Sequence, residues 1–159
     1  DQGETGLHDP SGRLYRWRRD DGLQVLLSGV PSPNGLCLMG PHTALVAATR
    51  DNAVWRVPFN ERGDVRKVGR FLTLSGGTGP DGLAANGLGL IAVAHLGLGA
   101  VWVFDAVGEI VARVDSPNGR ATTNVAFAPD QRTVFITEAE TGTVLVAELP
   151  PRLNRRLES

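Results

Sequence analysis

A single cysteine, Cys37, is all that the 159 residues contain, so the chain has no internal disulfide and no cysteine-rich zinc site. Its expected role is that of a small buried hydrophobe. Excess charge is missing as well: 16 basic residues stand against 17 acidic ones, a formal net charge of -1. No overall field then draws the chain to nucleic acid or to an anionic membrane. No apolar run approaches the roughly 20 residues that a membrane-spanning helix needs. No signal peptide is visible, and the expected location is the cytoplasm. The sequence opens at Asp1 rather than at a methionine; it is expected to be a segment of a longer chain, with any upstream signal lying outside it. Convincing helical periodicity is absent too.

What is present is punctuation. Twenty glycines and ten prolines are scattered between short apolar runs, the pattern of many short strands joined by turns. The runs repeat. Pro33-Asn34-Gly35-Leu36, Pro80-Asp81-Gly82-Leu83 and Thr123-Asn124-Val125-Ala126 open three segments, and Asn34, Asp81 and Asn124 lie 47 and 43 residues apart. That is the length of one four-stranded propeller blade. Counting 21 residues on from each reaches Trp55, Trp102 and Leu145, each preceded by a valine.

The second repeat shows the four strands: Gly82–Ala85, Leu90–His95, Ala100–Phe104 and Ile110–Val114, bounded by glycine-rich or acidic turns. Upstream, Arg13–Trp17 and Gln24–Leu27 flank the turn Asp20-Asp21-Gly22 and read as the back of an earlier blade. The predicted fold is all-β, a partial β-propeller of about three and a half blades. Residues 1–29 form the end of one blade, 30–76 and 77–119 two whole blades, 120–150 most of another, and 151–159 a loose tail. Such an arc does not close. The expectation is that further blades lie outside this segment, the other route being closure by a second chain.

In a propeller the innermost strand of each blade lines the central channel. Asn34, Asp81 and Asn124 sit where the chain runs into that strand, so three oxygen-bearing side chains are expected to converge on one axis. Amide and carboxylate oxygens suit a hard cation, calcium best. Against this stands a purely local role, because Asn-Gly and Asp-Gly are turn formers in their own right; Val125 follows Asn124, which is expected to line the channel or cap a turn.

These motifs resemble those of the regucalcin/gluconolactonase/luciferin-regenerating-enzyme family, the senescence-marker-protein type. The resemblance rests on Ser32-Pro33-Asn34-Gly35-Leu36, Gly79-Pro80-Asp81-Gly82-Leu83 and Thr122-Thr123-Asn124-Val125-Ala126-Phe127, and the N-terminal stretch through Gly12–Arg16 is similar to its bacterial lactonase members. It implies a six-bladed ring around one divalent metal, usually calcium, with Asn34 and Asp81 as metal ligands and Asp81 as the catalytic proton acceptor. It also implies a glutamate ligand in the family's first blade, which this segment does not include. The activity implied is opening of a sugar or related lactone; the substrate is the partner expected. Two alternatives are a non-catalytic propeller that binds a partner or small ligand, and the same metal site acting on a phosphotriester.

Asp1, His95, Asn124 and Glu138 are the remaining pocket candidates. His95 lies 14 residues after Asp81 and Glu138 lies 14 after Asn124, one shared place near the channel mouth, where His95 is expected either to meet substrate or to be a hydrogen-bonded strand-end histidine. Glu138 has a solvated loop position as its plainer reading. His8 and His42 read as loop residues, and Trp55 and Trp102 as packing between blades. Gly97-Leu98-Gly99 and Ser75-Gly76-Gly77-Thr78-Gly79 open no helix and carry no phosphate-cradle signal.

Overall fold

The computed structural model describes residues 1–3 and 6–151; the expected tail beyond Pro151 lies outside the described residues. Thirteen strands are present among them. They are β1 (Gly12–Arg18), β2 (Gly22–Val30), β3 (Pro33–Leu38), β4 (Thr43–Ala48), β5 (Ala53–Pro58), β6 (Gly69–Thr73), β7 (Gly79–Ala85), β8 (Ile91–Leu96), β9 (Ala100–Phe104), β10 (Ile110–Asp115), β11 (Thr122–Phe127), β12 (Thr133–Glu138) and β13 (Thr143–Glu148). One turn of 3-10 helix, Thr49–Asp51, joins β4 to β5. The strands pair antiparallel into four sheets: β1-β2, β3-β4-β5-β6, β7-β8-β9-β10 and β11-β12-β13.

Each sheet stacks on the next through an apolar layer. The inner strands show why. Ala44, Val46 and Ala48 of β4 face Leu14 and Val30 of the first sheet, while Leu45 and Ala47 face Leu83, Ile91 and Val93 of the third. In β8 the same alternation gives Ile91 and Val93 to one layer, and Ala92 and Ala94 to the layer shared with Val125, Val134 and Ile136. Alternate side chains point to opposite faces of a strand, so a strand covered on both faces must be apolar at every position. β4 and β8 are nearly so, and they are buried almost throughout. A fully buried Leu, Ile or Val contributes roughly 1.5–3 kcal/mol.

The two end sheets have one covered face each. Trp17, Leu23 and Val25 at one end, and Phe135, Val144 and Val146 at the other, are exposed. The molecule is therefore an arc of propeller blades. The second repeat's first strand begins at Gly79, three residues before its expected start at Gly82, and its second shifts by one residue, from Leu90–His95 to Ile91–Leu96.

That earlier start matters for the site. The first strand of each blade carries an irregularity in its ladder: between Pro33 and Leu36 in β3, between Pro80 and Leu83 in β7, and between Thr122 and Asn124 in β11. A bulge lifts residues out of the regular pairing and re-aims their side chains. Asn34-Gly35 and Asp81-Gly82 are the residues lifted out.

Candidate metal and active site

The three first strands lie side by side, β3 against β7 and β7 against β11. Glycine allows this. A methyl group added at Gly35 would stand 2.7 Å from the Cα of Gly82 and nearer still to the Asp81 carbonyl oxygen. One added at Gly82 would stand 2.7 Å from the Cα of Asn124. The Asn34, Asp81 and Asn124 stretches are thus in backbone contact across successive blades.

Their side chains differ in how they are used. Asp81 is half-buried and Asn34 exposed, and neither side chain has a hydrogen-bond or ion-pair partner among the described residues. Burial alone pushes the Asp81 carboxyl up from its ordinary pKa, with no donor to oppose it. A carboxylate held partly out of water without a partner is costly. It is also what a cation-binding or proton-accepting position looks like. Asn124 differs: its Oδ1 accepts the N–H of Val125 at 2.9 Å, so its oxygen serves the local backbone.

His95 and Glu138 lie inside the blades. His95 is 0 % exposed. The Trp102 indole N–H donates to its Nδ1 at 3.2 Å, and its Nε2 stands 3.0 Å from the Gly76 carbonyl. An indole nitrogen only donates, so Nδ1 must accept and Nε2 must carry the proton. Burial pushes the His95 pKa down; the Gly76 contact opposes this and the nearby Arg113 adds to it. Glu138 is 1 % exposed and accepts the N–H groups of Ala121, Glu140 and Thr141 and the Thr141 hydroxyl. These bonds hold its pKa below the ordinary value. Both residues brace strand ends. Their polar atoms are bonded within the protein, His95 as a hydrogen-bonded strand-end histidine and Glu138 as a buried acceptor rather than a solvated loop charge. Asp1 is exposed and turned to its own segment: it accepts Gly3 N–H at 3.1 Å and the Tyr15 hydroxyl at 3.3 Å.

Two residues that no spacing singled out lie beside the bulges. Ser32 is buried with a left-handed φ of 52°, and its hydroxyl accepts Gln2 Nε2–H at 3.0 Å. Thr49, also buried, lies in the β4–β5 turn. Ser and Thr are too common in turns for composition to have marked either. Elsewhere, a groove of about 400 Å³ runs between the first two sheets, walled by Leu14, Leu26, Leu36 and Leu38; neither Asn34 nor Asp81 lines it. Asn34 and Asp81 lie at the bulges instead. Among the described residues no cluster of three or more His, Cys, Asp or Glu side chains is placed to hold a metal, so a cation there would take an amide oxygen and a single carboxylate from this segment.

An arc of antiparallel blades, with Asn34 and Asp81 at the bulges of its first strands, defines a β-propeller segment. Comparison with known proteins carries this further. The family described as "SMP-30/Gluconolactonase/LRE-like region" matches residues 1–140, and the chain belongs to that family. It is 29% identical over 131 residues to the pentonolactonase XacC of Haloferax volcanii, a match covering 80% of this chain and 45% of that protein. Among solved structures it resembles the calcium-binding protein regucalcin of Agrobacterium tumefaciens, with a TM-score of 0.71, 29% identity, and 82% of this chain and 45% of that one covered. A gluconolactonase of Xanthomonas campestris shares the fold at a TM-score of 0.75 and 23% identity, over 88% of this chain and 45% of that one. The chain spans about half the length of the relatives it matches. Among the described residues no helix is long and apolar enough to cross a membrane.

Proposed function

We propose that this segment carries part of the metal and catalytic site of a lactone hydrolase, completed by a six-bladed ring. The observation that carries the reading is the Asp81 carboxylate: half-buried, without a partner among the described residues, and lifted out of its ladder as the equally unpartnered Asn34 is out of the neighbouring one. Asn34 and Asp81 would hold a divalent cation, calcium by the hardness of their oxygens. Two donors fit as part of a larger set. When bound, such a cation polarises a lactone carbonyl and offsets the negative charge that grows on its oxygen.

The chain's own contribution is proton transfer. An attacking water gives its proton to a carboxylate oxygen of Asp81, the water oxygen bonds to the lactone carbonyl carbon, and the ring C–O bond breaks as its oxygen takes that proton back from Asp81, leaving a hydroxy acid and the free carboxylate. No donor among the described residues occupies the Asp81 oxygens, which leaves one open to accept that proton. The substrate class follows from relatives that act on sugar lactones. Asp81→Asn in the complete protein tests it, with hydrolysis of a pentono- or gluconolactone followed by pH-stat. Turnover should fall about 100-fold or more while the β-sheet circular dichroism is retained. Undiminished turnover in that variant removes Asp81 from the chemistry.

A further inference from the structure

The bulges that carry Asn34 and Asp81 belong to different blades, 47 residues apart in sequence. One residue bonds to both. Thr49 leaves the end of β4, whose last residue, Ala48, pairs with Pro33. The Thr49 backbone N–H donates to the Ser32 carbonyl at 3.1 Å, two residues before Asn34. Its hydroxyl donates to the Pro80 carbonyl at 2.7 Å, the residue before Asp81, in a buried bond. On the same side its main chain sits against Gly79: a methyl at Gly79 would lie 3.0 Å from the Thr49 carbonyl carbon. Thr49 is 6 % exposed, so no water substitutes freely for either bond.

We infer that Thr49 is a positioning residue that sets the spacing of Asn34 and Asp81, and through it the affinity of the cation site; this rests on the cation role proposed for those two residues. The chemistry is specific to a hydroxyl. Valine has nearly the same shape but no donor, so the buried bond to the Pro80 carbonyl is lost. The Asp81 side then loses this hydrogen bond to the blade that carries Asn34. Serine keeps the donor. Residues that orient metal ligands typically control 10- to 100-fold in metal affinity.

The experiment compares Thr49→Val, Thr49→Ser and Ile136→Val in the complete protein. Ile136 is buried in the layer between the third and fourth sheets; its truncation lowers stability away from both bulges. Calcium affinity is read by calorimetry, and amide hydrogen exchange of the 30–36 and 79–85 stretches is read on metal-free protein. Thr49→Val should weaken calcium about 10- to 100-fold and speed exchange in both stretches. Thr49→Ser should stay within about threefold of wild type, and Ile136→Val should leave both readouts in place. Wild-type exchange rates in Thr49→Val overturn the inference whether or not calcium binds, as does an equal affinity loss in Ile136→Val. A wild-type protein that binds no calcium, with exchange still accelerated by Thr49→Val, defeats the proposed cation site and leaves the clamp standing.

Discussion

Replacing Gly35 by alanine tests how the blades meet. Gly35 does not have a left-handed φ, so alanine fits its backbone and only space is at issue. The added methyl would lie 2.7 Å from the Gly82 Cα, roughly 0.7 Å inside the 3.4 Å at which ordinary contact begins. The obstructing atoms are backbone, which cannot swing aside as a side-chain tip would. β3 must therefore move away from β7, where Gly35 meets the Asp81-Gly82 backbone. Overpacking of this kind costs about 1–3 kcal/mol. Loss of glycine's freedom in the unfolded chain returns about 0.4–1 kcal/mol. A net loss of about 1–2 kcal/mol follows, or about 2–8 °C in Tm for a chain of this size. Gly69→Ala in β6 is the control, since nothing lies within 4 Å of its added methyl; it should stay within about 0.5 kcal/mol of wild type. Differential scanning calorimetry of the three proteins decides. A Gly35→Ala midpoint equal to that of Gly69→Ala would refute close contact between β3 and β7.

Two further outcomes follow from buried titrating groups. The His95 pKa is pushed below its ordinary 6.5 by burial, so the unfolded chain takes up protons first as pH falls through about 6.5, and the stability His95 contributes, present above that value, is lost toward the lower folded pKa. His95→Gln should flatten the fall in Tm between pH 7 and pH 5; an unchanged slope speaks against a buried neutral imidazole. Burial pushes the Cys37 thiol up to about 11, partly opposed by the backbone contact with Ala85. At pH 8 a colorimetric disulfide reagent should therefore label it on the order of 100-fold more slowly in the native protein than in denaturant, and rapid native labelling would contradict its burial.

What the amino-acid sequence determined by itself is the repeat. Period-2 apolar runs, glycine turns and three Asn/Asp positions at the blade starts are local features, and β9 occupies the expected Ala100–Phe104 without change. Equivalent positions in a repeat meet equivalent neighbours, so Asn34 and Asp81 could be picked out from their 47-residue separation alone. The same logic located His95 and Glu138 but left their surroundings open. Their shared offset placed them correctly at strand ends, but offset does not report which way a side chain turns or what satisfies it. His95 is enclosed by Trp102 and Gly76, and Glu138 by the amides of Ala121, Glu140 and Thr141. Only the tertiary structure decided those roles, together with the bulges in the first strands, the backbone contact at Gly35 and Gly82, and the reach of Thr49 to Pro80. Each depends on groups from different strands or blades meeting at atomic distance. No composition or period encodes such a meeting, because the free energy that selects it comes from packing and hydrogen bonds between segments remote in the chain.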